Sequence, residues 1–283
     1  MKTETTRRGF LAAAGGIAGL GAAGVTPASA RIEPSPWGIK LGVATYSLRS
    51  FDRPKAIEML KALQAPWISI KDVHLSQKLS PEEVRAGAKE FTGAGLKIMS
   101  GGNIDLKENT VEGLRPHFEY AKNAGMAIMV CAPTHDNIKQ IETLVKEYNI
   151  KIAIHNHGPE DKQYPTPQSV LEVVRNLDPR CGLCMDIGHS ARTGIDVVKA
   201  IGEAGSRLLD MHVKDLKDLS ARESQCDVGD GDLPFPAIFK QLKKMNYQGC
   251  VNLEYEINDK APLPGMQRSF SYMRGVLAGL AAA

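Results

Sequence analysis

Long apolar runs, blocks of one charge, an even set of cysteines and phosphate-type glycine turns are all missing from this 283-residue chain. The most apolar stretch, Gly9 to Val25, falls short of the ~20 residues a membrane-spanning helix needs and is interrupted by glycines. No stable membrane anchor is expected. Lys and Arg total 35 against 32 Asp and Glu, with no basic block, so the electrostatic footprint of a nucleic-acid binder is missing. Five cysteines (Cys131, Cys181, Cys184, Cys226, Cys250) support no complete disulfide framework and read as reduced core residues. Cys181 and Cys184 show CxxC spacing, but in the strand-like CGLCMDI residues three apart face opposite sides, which speaks against a redox or zinc pair.

What is present begins with an export signal. TTRRGFL, with Arg7 and Arg8 paired, precedes the small apolar run AAAGGIAGLGAAGV and then ASA, the order expected of a twin-arginine signal cleaved after Ala30. The chain therefore divides into a signal (1–30), a linker (31–40) and one domain (41–283), with a periplasmic or secreted destination. Loss of Lys2, Glu4, Arg7 and Arg8 leaves 32 basic and 31 acidic residues, a net charge of +1.

From residue 40 onward a short apolar, β-branched run is followed by an amphipathic segment, eight times over. LGVATYS leads to PKAIEMLKAL, WISIKDVHL to SPEEVRAGAKEFTGAG, and the alternation continues to GCVNLEYE and MQRSFSYMRGVLAGL. Ser80 with Glu83 makes a capping box at the start of the second helix. Eight strand–helix units in about 245 residues predict a single-domain α/β fold, the closed (β/α)8 TIM barrel. An open doubly wound sheet would need a glycine-rich turn after the first strand, and TYSLRSFD has none.

In such a barrel, chemistry sits at the C-terminal ends of the strands. The polar residues in the apolar runs fall there: Lys71 and His74 on the second strand, His155 and His157 on the fifth, Asp186 and His189 on the sixth, His212 and Lys214 on the seventh, Glu254 and Glu256 on the eighth. A period of two puts 155/157, 212/214 and 254/256 each on one face. Buried imidazoles and carboxylates need mutual satisfaction, which a divalent cation supplies. His155, Asp186, His212 and Glu254 would form a mixed nitrogen and oxygen site for Mn²⁺, Zn²⁺, Co²⁺, Mg²⁺ or Fe²⁺; ligand type alone does not choose the metal.

The order DIGHS, MHVKD, VGDGDLPFPAIFKQL and LEYE resembles the xylose isomerase-like TIM barrel superfamily, the sugar phosphate isomerases/epimerases with an endonuclease branch. The resemblance runs from about residue 40 to the end. It implies a divalent metal held by a carboxylate from the fifth strand, an aspartate from the sixth, a histidine from the seventh and a glutamate from the eighth. The last three fall on Asp186, His212 and Glu254, His189 falls on a substrate-contacting histidine, and Lys214 lies in the HVKD motif. The first ligand departs from the pattern, because ENH in relatives is HNH here and His155 replaces the glutamate. His155 is then a ligand, or a base while His157 or water completes the sphere.

The chemistry implied by the resemblance is proton abstraction next to a carbonyl, leading to isomerisation, epimerisation or, by elimination, to a lyase or hydratase reaction. Candidate catalytic residues are His155, His157, Lys214, Glu254 and Glu256; candidate substrate contacts are Lys71, His74, His189 and Arg222. Export favours a non-phosphorylated keto sugar or keto glycoside as the small-molecule partner. Gly101-Gly102 and the GDG at 229–231 are too short for a phosphate cradle and read as turns. A near-neutral charge and an export signal speak against the endonuclease branch. A carbohydrate-binding barrel without catalysis, and a homo-oligomer, both stay open.

Overall fold

Short runs rich in Val, Ile, Leu and Met cannot bury two apolar faces alone, and here they do so by closing on each other. The structure, a computed structural model, describes residue 35 and residues 37–283; the twin-arginine segment and its cleavage point at Ala30 lie outside the described residues. Strands β1 (Lys40–Ala44), β2 (Trp67–Ile70), β3 (Lys97–Leu106), β4 (Ile128–Pro133), β5 (Lys151–His155), β6 (Cys181–Asp186) and β7 (Leu208–Val213) run side by side. Two-residue strands β8 (Asp215–Leu216) and β9 (Gln225–Cys226) form a small antiparallel ladder, and β10 (Cys250–Leu253) closes the barrel between β7 and β1. Every barrel pairing is parallel. The expected (β/α)8 barrel is the fold.

Helices cover the outside: α1 (Arg53–Ala62), α2 (Pro81–Gly93), α3 (Val111–Asn123), α4 (Ile138–Tyr148), α5 (Pro167–Val174), α6 (Ile187–Ala191), α7 (Val197–Ala204), α8 (Phe235–Lys244) and α9 (Leu263–Ala282). The Ser80–Glu83 capping box is formed, and Pro81 sits at the first helical position, where its missing N–H costs nothing. Fully buried Phe91, Phe118, Phe235, Phe239 and Phe270 anchor the core between helices and strands. Inside the barrel, Ile128, Val130, Ala153, Cys184 and Leu209 form a second, smaller cluster, while Met129 and Cys131 belong to the outer one. Cys181 likewise faces outward and Cys184 inward, as a period of two requires. All five cysteines are free and buried. Among the described residues no helix is long and apolar enough to cross a membrane.

The strands end earlier than the apolar and polar patterns suggest. β2 stops at Ile70, so Lys71 and His74 lie in the turn after it; His157, Lys214, Glu254 and Glu256 follow strands that stop at His155, Val213 and Leu253. Beyond the rim the neighbouring strand has run out and ladder bonds cease, although Glu254 N–H still donates to Val213 O at 2.9 Å. After β6 the chain turns at once into α6, because the Asp186 carboxylate accepts the His189 N–H and caps it.

Candidate metal centre

Four strand ends converge on one point. His155 is the last residue of β5, Asp186 the last of β6, His212 the penultimate residue of β7, and Glu254 follows β10 directly. Strand pairing places Asp186 beside His212 and His212 beside Asn252, so the register itself assembles the group. One donor atom from each of His155, Asp186, His212 and Glu254 lies within 4.8 Å of all the others, and all four residues are buried. His155 Nε2 is 3.8 Å from Asp186 Oδ2, and His212 Nδ1 is 3.3 Å from Glu254 Oε1 without hydrogen-bond geometry.

His155 Nδ1 and both ring nitrogens of His212 have no hydrogen-bond partner among the described residues, while Asp186 Oδ2 has no hydrogen bond but lies 3.2 Å from the Lys214 ammonium. Each such buried orphan costs roughly 1–3 kcal/mol. One potential ligand atom from each of the four residues gathers in one small buried volume, and two nitrogens with two carboxylates suit a divalent first-row ion. These residues fit the metal that the strand-end pattern implies.

Electrostatics follow from burial and neighbours. Burial, then the adjacent His212, holds His155 well below the usual histidine range, which leaves it neutral and able to ligate. Burial also works against a charged His212, but the ionised Glu254 beside it opposes this and holds that imidazole above its ordinary value. Burial works against their charge, but Lys214 between them keeps both Asp186 and Glu254 ionised. Cys184 also comes within 4.8 Å of His155 and His212, but burial pushes its thiol up to about 12.

Lys214 threads between the carboxylates. Its Nζ lies 3.2 Å from Asp186 Oδ2, 2.8 Å from Glu254 Oε2 and 2.6 Å from Glu256 Oε2. Above it opens a cleft of about 290 Å³ lined in part by His189, Arg192, Arg222, Gln225 and Glu256, close to the lower end of small-molecule pockets. Arg222 thus stands in the cleft wall. His157 is exposed, with its ring 5.6 Å from His155 and 4.5 Å from His189.

Lys71 and His74 are not brought to this cluster. Lys71 Nζ lies 5.2 Å over the Tyr46 ring. His74 is buried with Nδ1 3.0 Å from Thr45 Oγ1, a hydroxyl that also accepts the Lys71 N–H. The Leu48 and Phe51 carbonyls lie near its ring, so it faces the β1–α1 connection.

Several supporting residues carry no sequence signal of their own. Asn156, fully buried between the two histidines, accepts the Asp186 N–H at 3.1 Å and donates to Ser190 Oγ at 3.0 Å, tying the end of β5 to the end of β6. Gln225 donates to Glu254 O at 3.0 Å and accepts the Glu256 N–H at 3.2 Å, fixing the segment that carries both glutamates. Below the site, the buried Asp210 carboxylate accepts hydrogen bonds from Ser100 Oγ and Asn252 Nδ2. The HNH tripeptide could have pointed to Asn156. A lone polar residue in an apolar run announces no partner, so the Asp210 layer could not be read.

Of the two glycine sites expected to be turns, only the GDG at 229–231 is one; Gly101 and Gly102 lie inside β3, where close packing against the neighbouring strand requires glycine. The N–H groups of Gly229 and Gly231 donate to Asp215 Oδ2 at 2.9 and 3.2 Å, and a Cβ on Gly231 would sit 2.3 Å from Asp215. Gly102 has φ +128°, and a Cβ there would meet the Val130 carbonyl at 2.0 Å.

Comparison with known proteins agrees with the fold. The profile of the Xylose isomerase-like TIM barrel family matches residues 55–276. An inosose dehydratase from Mesomycoplasma hyopneumoniae is 27% identical over 153 residues, 47% of this chain and 50% of that protein. The chain spans about half the length of the curated relatives it matches. Among solved structures, the 3-keto-D-glucoside 4-epimerase YcjR of E. coli aligns over 84% of this chain and 99% of its own, at 17% identity and a TM-score of 0.66. The IolI protein with a bound zinc atom aligns over 85% and 99%, at 16% identity and a TM-score of 0.67. At these identities the solved structures speak for the fold alone, but the profile covers most of the chain: the protein belongs to the Xylose isomerase-like TIM barrel family.

Proposed function

We propose that the chain is a divalent-metal-dependent enzyme that removes a proton next to the carbonyl of a non-phosphorylated keto sugar. The observation that carries this reading is the buried His155–Asp186–His212–Glu254 cage, with its orphaned donor atoms, beneath a polar cleft. A divalent ion bound there supplies a Lewis acid that polarises the carbonyl and stabilises the charge left by the departing proton. The residues around it do the rest. Burial, neutrality and an unpartnered nitrogen favour His155 as ligand over base. His157, exposed beside it, and Glu256, 35% exposed in the cleft wall, have a route to solvent and can carry protons. Lys214 orients Glu254 and Glu256, while His189 and Arg222 face substrate oxygens from the cleft. A barrel that merely binds sugar would have no need of the cage.

Isomerase, epimerase and dehydratase outcomes share this first step. One observation favours elimination or hydration over two-base epimerisation: with His155 in the β5 position, the site's carboxylates come from β6 and the end of β10. The inosose dehydratases among the relatives, lyases by name, point the same way. Export in a mature form is part of this proposal and suits a free rather than a phosphorylated sugar. The test is to incubate zinc- or manganese-loaded protein with 3-keto glucosides in D₂O. Deuterium should enter next to the carbonyl, with loss of water if elimination follows; no exchange on any keto sugar would overturn the reading.

A further inference from the structure

Arg192, one residue past α6 and three after His189, has a side chain only 4% exposed. A guanidinium so buried is costly unless paired, and a methionine would fill the same space without that cost. One arm pairs with the half-exposed Glu160 in the loop after β5. The other, Nη1, lies 3.1 Å from His189 Nδ1. Arg192 Nε has no partner among the described residues.

We propose that Arg192 is a positioning residue that holds His189 as an Nε2–H donor facing the substrate, and thereby keeps His189 out of the metal's ligand set. The inference rests on the metal and keto-sugar reading above. A guanidinium has donors only, so the atom it meets on His189 must present a lone pair. Nδ1 is therefore bare, and the proton of the neutral ring sits on Nε2. That nitrogen is 3.9 Å from Asp186 Oδ2, and His189 lines the cleft. Carrying a hydrogen, Nε2 has no lone pair for a cation, but it donates to a hydroxyl or carbonyl oxygen placed over the site. His155 and His212 differ, since each has a ring nitrogen with no hydrogen-bond partner.

Gly158 makes the contact possible. It has φ +90°, and a Cβ there would lie 3.2 Å from Arg192 Nη1 and 3.3 Å from His189 Nδ1, crowding the bond between them. The chain Glu160–Arg192–His189 thus runs from the loop after β5 to α6 and sets a ring orientation that strand geometry alone does not.

The test uses full-length protein labelled with ¹⁵N-histidine and long-range ¹H–¹⁵N correlation, with His189→Asn to assign the ring. In the wild type His189 should be wholly Nε2–H. Arg192→Met should let both tautomers populate comparably, and Arg192→Lys should restore the Nε2–H form. Added Zn²⁺ should shift His155 and His212 nitrogens strongly while His189 keeps its tautomer. An Nδ1–H wild-type ring, an unchanged ring in Arg192→Met, or a zinc-bound His189 nitrogen each overturns the proposal. If Arg192→Met does not fold, the wild-type tautomer and its response to Zn²⁺ decide. A failure of all histidines to respond to Zn²⁺ would strike the metal reading and leave the tautomer result to judge the Arg192 contact.

Discussion

Two stretches of the barrel rim carry polar residues that look alike in the sequence. Lys71 and His74 follow β2; His155, Asp186, His212 and Glu254 end or follow β5, β6, β7 and β10. Around β2 the polar groups find local partners: Thr45 takes the Lys71 N–H and His74 Nδ1, and Tyr46 lies under the Lys71 ammonium. His74 Nε2 and Ser69 Oγ are buried orphans, but among the described residues no group of potential metal ligands gathers around them. On the opposite arc, one potential ligand atom from each of His155, Asp186, His212 and Glu254 shares one small buried volume. Position at a strand end is common to both arcs. Convergence of potential ligand atoms separates them.

The difference can be broken most forcefully by removing a ligand. Asp186→Ala should weaken Zn²⁺ binding by more than about 100-fold, beyond what loss of an outer-sphere partner costs, whereas His74→Ala should leave it unchanged in the same competition titration. Equal losses would erase the distinction between the arcs. Asn156→Ala, which removes the clamp on the Asp186 backbone, should cost about 10–100-fold in affinity with the stoichiometry kept.

Proton release sharpens the contrast within the site. His212 is held above its ordinary value, because the ionised Glu254 beside it works against burial, while burial holds His155 below its own. Zinc binding must displace any proton on His212, so calorimetry in buffers of different ionisation heat should show proton release that grows as pH falls. Affinity should fall as pH drops, and His212→Gln should remove the release. The smallest expected effect belongs to the other arc. Thr45→Val should lower stability by about 1–3 kcal/mol, by stranding His74 Nδ1 and the Lys71 N–H, without touching zinc affinity. Urea unfolding and metal titration of one sample check both halves.

The barrel was legible because hydrophobic period switches eight times between two and 3.6 residues, a signal summed over long segments. Strand ends were less legible, since whether Lys71 or His157 is still in a strand depends on how far the neighbouring strand reaches. The four ligand candidates could be read from their order at successive strand ends. Asn156, Gln225, Arg192 and the Asp210 layer could not, because each works through a partner on another loop or strand. His74 misleads for the same reason: its hydroxyl partner, Thr45, is 29 positions away.

The central claim is that His155 takes the place of a β5 carboxylate as a metal ligand. Anomalous diffraction from crystals soaked in Zn²⁺ tests it directly. The account expects one peak within about 2.0–2.2 Å of a ring nitrogen of His155 and of His212 and of a carboxylate oxygen of Asp186 and of Glu254. A zinc ion held by Asp186, His212 and Glu254 with His155 unbonded, or no ion at the barrel mouth, would contradict it.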